Sequence, residues 1–427
     1  MRILITGTTG ESMPPPYGGV PKLSLLVARA WRSQGHSAAI TFVYRPTNAD
    51  DLGANAEYFF EYAARPTKFK KAIFLAQYFF RNPRLYLTLF HEYRKIYPHL
   101  DFEVALYPAY GVYMDGVIST FKPDVILSEA ALIQTFMVAK VAKRRYTPVI
   151  FDTYAEIHDL SMGTNSSLTE GNRKNYWKSF LSLADLVIAP GPHCCRGPLM
   201  YLPKEKVEYV YDGSDYSIAN LDIDEDQNVL RDILNLPRDL FLIGNVGSFE
   251  LRKGHDHLIK AISKLTKAGH AIGAVICGGT GDATKWRNLA KAEGVADRVF
   301  FFGRLPELEL GRVLKSLDCF SDLENTPRAC GLTMAVLEGM AMGNPVVIYE
   351  NREMFEVVKE EENGFIVPLN DIDALAAAIL KMQQLPAEVR KEMGKKAAAA
   401  ARQIDITFTA DGKMKLFQQV LNSYNAQ

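Results

Sequence analysis

Short, continuously hydrophobic runs alternate with stretches whose apolar residues recur at helical spacing along almost the whole chain. The runs Arg2–Thr6, Ser37–Val43, Val125–Leu127, Pro148–Phe151, Leu186–Ala189 and Val207–Val210 read as one series of strands. Leu240–Val246, Ala271–Cys277, Val299–Phe302, Cys319–Ser321 and Pro345–Tyr349 form a second. Strands that lack polar alternation are buried on both faces, as in a parallel sheet covered by helices. Two such series predict two doubly wound α/β domains, assigned to residues 1–218 and 219–405. Between them lies the acidic stretch Asp222–Asp226, read as a solvated linker, with a metal-binding Asp-x-Asp as the alternative. Apolar residues at 408, 414, 416, 417, 420 and 421 predict a closing helix over 406–427 that could pack back on the first domain.

Composition narrows the class. The 427 residues carry 49 basic and 49 acidic side chains, a balance that argues against a nucleic-acid binder. The longest apolar run, Ala72–Phe80, is broken by Gln77 and is far shorter than the roughly 20 residues of a membrane span. Met1-Arg2 leads straight into a strand-like run, so no signal peptide is expected. The five cysteines are odd in number and mostly inside apolar segments, which points to a reducing, cytoplasmic setting, with the inner face of the membrane as a further option.

Candidate chemistry gathers where strands end. Thr6-Gly-Thr-Thr-Gly10 lacks the third glycine of a dinucleotide fingerprint, since position 13 is Met13. Gly18-Gly19 opens a helical pattern, so its amides could meet an anion; a flexible loop with a helix cap explains it equally well. Asp152, Tyr154, Glu156 and His158 follow a buried strand, where open α/β sheets gather ligands. Each could instead be a cap or a satisfied polar group. In the second half, Gly247–Gly254 sets Arg252 and Lys253 at a strand-to-helix turn, a fork and a point charge suited to a diphosphate. Gly278 lies in another glycine-rich turn, and Phe300–Arg304 ends a further strand. Glu338 sits within an apolar helix, where a carboxylate needs a partner: a structural cation or a ligand hydroxyl.

In order and spacing, these stretches resemble the retaining GT-B glycosyltransferases of family four, across most of the chain except roughly residues 50–115. Gly35-His36, Ala184–Ile188, Asp212–Asp215 and Asn363–Pro368 add to the likeness. The resemblance implies a GT-B fold, two Rossmann-like domains facing across a cleft, with a nucleotide-sugar in the C-terminal domain and an acceptor in the N-terminal one. It implies a UDP-sugar in preference to a GDP-sugar, a glycan, lipid-linked or other glycoconjugate acceptor, and neither metal nor cofactor. Lys253, with Arg252, would neutralise the diphosphate, and Glu338 would bind the ribose hydroxyls. Amides of Gly331, Leu332 and Thr333 would meet phosphate, with Gly18-Gly19 approaching from the other domain, while Arg304-Leu305 would line the base.

The chain departs from the family pattern at three places. Ser248 stands where the family has arginine, so Arg252 would substitute. Tyr154 fills a histidine slot, and a phenol is a poorer proton acceptor at neutral pH. The position eight before Glu338 is Cys330 rather than glutamate; Glu324 is the preferred replacement, with Cys330 or neither as alternatives. These departures keep two other readings open, a catalytically silent binding subunit and a nucleotide-sugar 2-epimerase. Residues 65–97 hold eight cations against Glu92 alone, interleaved with nine aromatics. They read as a peripheral membrane contact, as internal packing, or as an acceptor groove.

Overall fold

The computed structural model describes residues 1–8, 19–45, 57–63, 66–96, 102–129, 133–153, 177–214, 216–278, 282–325 and 331–425. The chain divides into two units, residues 1–211 with 409–427, and residues 212–408.

The first unit is built on a seven-stranded sheet. Its strands are β1 (Arg2–Thr8), β2 (Ser37–Tyr44), β3 (Glu57–Tyr62), β4 (Val125–Glu129), β5 (Val149–Asp152), β6 (Leu186–Ala189) and β7 (Val207–Tyr209). They lie in the order β3-β2-β1-β4-β5-β6-β7, and every pairing is parallel. The second unit repeats the plan with β8 (Phe241–Val246), β9 (Ile272–Cys277), β10 (Val299–Phe302), β11 (Cys319–Asp322), β12 (Val346–Tyr349) and β13 (Gly364–Val367). Its order is β10-β9-β8-β11-β12-β13, again all parallel. In both sheets the order runs outward in two directions from the first strand, so β1/β4 and β8/β11 are the switch points of two doubly wound folds.

All eleven strands expected from the sequence are present, with ends shifted by at most two residues. Two were missed, β3 and β13, and each is an edge strand. An edge strand has one neighbour and needs no unbroken apolar run. Glu57-Tyr-Phe-Phe-Glu-Tyr62 is accordingly only partly buried, whereas β13, Gly-Phe-Ile-Val, is apolar and mostly buried.

Helices cover the sheets because their apolar stripes match the buried strands. In the second unit Leu258, Ile259, Ile262 and Leu265 of the helix His255–Lys267 join Ile243, Ala274 and Ile276 in one core. The acidic stretch before it has a local role: Asp226 caps the helix Gln227–Ile233 by accepting from the amides of Asn228 and Val229 at 2.8 and 3.0 Å.

The closing helix spans Ile406–Asn425, and from Thr409 onward it belongs to the first unit. There Phe417 packs at a tilt against the buried Trp31, ring centroids 5.3 Å apart, and the Trp31 indole donates to the Ala410 carbonyl at 3.0 Å. Lys413 Nζ meets Asp152 Oδ2 at 2.5 Å, with the two side chains only 2% and 1% exposed. Among the described residues no helix is long and apolar enough to cross a membrane.

Candidate functional site

In a doubly wound sheet, ligands collect beyond the carboxyl ends of the strands at the switch point. In the second unit that point lies between β8 and β11, and the sequence places its strongest chemistry there. The turn after β8 is a short 3-10 helix, Leu251–Lys253, closed by Gly254. Gly254 has φ +65°, and a Cβ on it would lie 2.2 Å from the Leu323 carbonyl oxygen. The turn is thus pressed against the chain leaving β11, and only glycine fits. Asn325 locks the junction: its amide donates to the Arg252 carbonyl at 2.8 Å and its side chain to the Leu251 carbonyl at 2.9 Å.

This packing brings Glu324 onto both cations. Lys253 Nζ donates to Glu324 Oε2 at 2.6 Å, and Arg252 donates to Oε1 at 2.9 Å. Arg252 also reaches Glu250 at 2.7 Å. Lys253 and Glu324 are largely withdrawn from water, 14% and 12% exposed, whereas Arg252 is half exposed. Burial works to raise the Glu324 pKa, but Lys253 first and Arg252 next more than offset it, and the carboxyl is held below its ordinary value. Asp322, at the end of β11, moves the other way: burial raises it, Glu324 adds to the rise, and Lys253 only partly opposes it.

The remaining second-unit candidates surround this cluster in sequence and topology. Ser248 follows β8; its hydroxyl oxygen is buried and bonds to nothing among the described residues, while its carbonyl accepts from His255 Nε2 at 2.9 Å. Burial lowers the His255 pKa, and the hydrogen bond to the Ser248 carbonyl only partly opposes it. Gly278 follows β9, and a Cβ there would collide with Phe249 at 2.7 Å. Gly331 and Leu332 are buried, and Thr333 is the N-cap of the helix Met334–Ala341. The Thr333 hydroxyl bonds Asp322 and makes no capping bond to the helix amides. Glu338 is 7% exposed on that helix, which lies so close to β11 that a side chain on Gly339 would strike the Phe320 ring. Arg304 is exposed and Leu305 half-buried, at the turn after β10.

In the first unit Gly19 opens the helix Gly19–Ser33. Asp152 ends β5, is 1% exposed, and its Oδ2 accepts from Lys413 Nζ in a buried pair. Gly18, Tyr154, Glu156, His158 and Cys330 lie outside the described residues. Three contributors went unread in the sequence: Glu250, Asn325 and Asp322. Glu250 and Asn325 stood beside chosen residues, but nothing local marked them as partners across 2 to 74 positions.

Two doubly wound parallel sheets, with a cation–carboxylate cluster at the switch point of the second, define the GT-B class of fold. Residues 226–400 match the family model described as "Glycosyl transferases group 1". Among curated proteins the chain is 27% identical over 175 residues to the putative glycosyltransferase EpsD of Bacillus subtilis, covering 40% of this chain and 45% of the relative. The match therefore spans less than half of that relative's length. Among solved structures it is similar to sucrose-phosphate synthase from Thermosynechococcus elongatus, with TM-score 0.73, 16% identity and 99% of both chains covered. It is also similar to Anabaena HepE in complex with UDP-glucose, with TM-score 0.69, 17% identity and 100% of both chains covered.

Proposed function

We propose that the protein is a retaining glycosyltransferase that moves a sugar from a UDP-sugar to a glycan, lipid-linked or other glycoconjugate acceptor, without a metal ion. The observation that carries this reading is the buried Lys253–Glu324 pair, flanked by Arg252, at the β8/β11 switch point. Lys253 and Arg252 neutralise the donor diphosphate, aided by the amides of Gly331, Leu332 and Thr333 at a helix start. Glu338 accepts from the ribose hydroxyls, Arg304 and Leu305 line the base, and Glu324 turns to the sugar hydroxyls. The preference for uridine draws support from HepE, whose structure contains UDP-glucose. The first unit binds the acceptor, with Glu156 and His158 on the acceptor side and Tyr154 as a catalytic residue, while the amides of Gly18-Gly19 serve the donor phosphate.

In the reaction the bond from the sugar's anomeric carbon to the diphosphate oxygen breaks, and the acceptor oxygen bonds that carbon on the same face. The acceptor proton passes to the departing phosphate. The cations and amides stabilise the negative charge that grows on the leaving group, which is the largest task in such a transfer. The test is a thermal-shift screen of nucleotides and nucleotide-sugars, since a ligand that binds only the folded state raises the melting temperature. UDP should raise it. Lys253→Ala and Glu338→Ala should each weaken UDP binding by about tenfold or more, the worth of one charge-assisted hydrogen bond. No shift with any nucleotide, or unchanged affinity in both variants, overturns the site. Donor binding with no turnover across an acceptor panel overturns the enzyme in favour of a binding subunit.

A further inference from the structure

The basic, aromatic stretch of the first unit folds into two helices, Lys68–Arg81 and Pro83–Ile96, capped by Thr67 and by Asn82, whose side chain accepts from the Leu85 amide at 3.1 Å. Inward packing accounts for part of its aromatic content. Phe74 and Tyr78 are buried, 4.5 Å apart, against Tyr62 and Tyr113, and Tyr86 and Tyr93 are buried on the second helix.

The opposite side of the first helix is not covered. Phe69, Ile73 and Phe80 are 75%, 49% and 77% exposed, and with Ala76 they recur at i, i+4, i+7 and i+11. That spacing draws one apolar stripe along the helix, about half a turn away from Phe74 and Tyr78. A surface helix of a soluble domain carries polar residues there. The exposed Lys68 lies to one side of the stripe and the exposed Lys70 to the other, while Arg81 turns its guanidinium over the Tyr78 ring, 5.9 Å from its centroid. Arg84 and the 55% exposed Leu87 continue the pattern on the second helix. Glu92, the one acid between residues 65 and 97, is already held by Lys95 at 2.7 Å and Lys140 at 3.0 Å.

We infer that the helix Lys68–Arg81 lies in the plane of an anionic phospholipid bilayer, its stripe of Phe69, Ile73, Ala76 and Phe80 inserted below the headgroups. Charge complementarity selects this occupant. Flanking cations pair with lipid phosphates while their stems lie along the acyl boundary. A saccharide would use one or two aromatic faces, not a stripe that includes isoleucine and alanine. The inference stands apart from the donor-site reading, because none of its residues belongs to the second unit.

The full-length protein is sedimented with vesicles of phosphatidylcholine alone and of phosphatidylcholine mixed with phosphatidylglycerol. It should bind the mixed vesicles, bind the neutral ones far more weakly, and lose binding as salt rises. Phe69→Ser with Phe80→Ser, and separately Lys68→Glu with Lys70→Glu and Arg84→Glu, should each lower the partition coefficient about tenfold or more. Circular dichroism and the melting temperature check that both variants fold. Equal binding to the two vesicle types, or no binding by the wild type, overturns the inference. So does unchanged binding in folded variants. Light scattering that shows a wild-type dimer lost in the serine variant, with no vesicle binding, assigns the stripe to a second copy and equally overturns it.

Discussion

Lys253 Nζ and Glu324 Oε2 lie 2.6 Å apart although 71 residues separate them in sequence, and both are mostly shielded from water. The cation proposed for the donor diphosphate is therefore already neutralised by a carboxylate of the same unit. A buried charge without a partner is costly, and the pairing removes that cost for both residues. A bound diphosphate must take that partner's place.

The first prediction concerns this exchange. Glu324→Gln removes the competing anion and keeps the side-chain shape. UDP should bind a few-fold more tightly, about 1 kcal/mol, while sugar transfer falls because an amide is a weaker acceptor for sugar hydroxyls. Titration calorimetry with UDP and an initial-rate assay check the two halves. Weaker UDP binding in the variant would mean that Glu324 serves mainly to hold Lys253 in place.

A second prediction is the acid dependence of the same pair. The Glu324 carboxyl is held below its ordinary 4.5, burial opposing and Lys253 and Arg252 prevailing. Its folded pKa is below its unfolded one, so the pair's stabilisation is complete above the ordinary carboxylate range and is lost as pH falls through the folded value. The stability gap between wild type and Glu324→Gln should be widest near neutrality and shrink below pH 4.5. Denaturant titrations across that range read it directly.

Gly254→Ala should be among the most damaging single-methyl changes in the chain. The new Cβ meets both a left-handed backbone and a carbonyl oxygen at 2.2 Å. Backbone strain alone costs about 1 kcal/mol, and relieving the clash brings the total to about 3 kcal/mol or more. The expected outcome is a lower melting temperature with UDP binding lost in the same variant, because the turn carries Arg252 and Lys253.

In the first unit, Lys413→Met leaves the Asp152 carboxylate buried without its ammonium and should cost about 3–5 kcal/mol. Adding Asp152→Leu should recover much of that loss, since an apolar pair satisfies the same space. A double-mutant cycle in urea gives both numbers. A loss that does not recover would point to packing by the lysine stem instead of the charge.

Both sheets were largely readable as sequence because buried parallel strands are written in unbroken apolar runs. Where that condition lapsed the reading failed, as in β3, which carries Glu57 and Glu61; β13 is an apolar run as short as several strands that were read, and nothing in its sequence explains why it was passed over. The site was half legible. Arg252 and Lys253 stand out as strand-end chemistry and Glu324 only through the family resemblance, but their mutual pairing depends on β8 and β11 being neighbours, which no local pattern states. Asp152 looked like a ligand for the same reason. Its partner lies 261 residues away on a helix whose polar face gave no hint of a buried lysine.

That last helix has a bearing on how the molecule is made. Trp31, Gln34 and Asp152 all wait for groups on residues 410–413. As the polypeptide leaves the ribosome, the first unit is synthesised long before its final piece exists, and the whole of the second must emerge in between. The amino-terminal sheet then waits for the Ala410 carbonyl and the Lys413 ammonium until the second unit has been made. Maturation of the two halves is out of step with their order in the gene, and the half translated first is the half finished last.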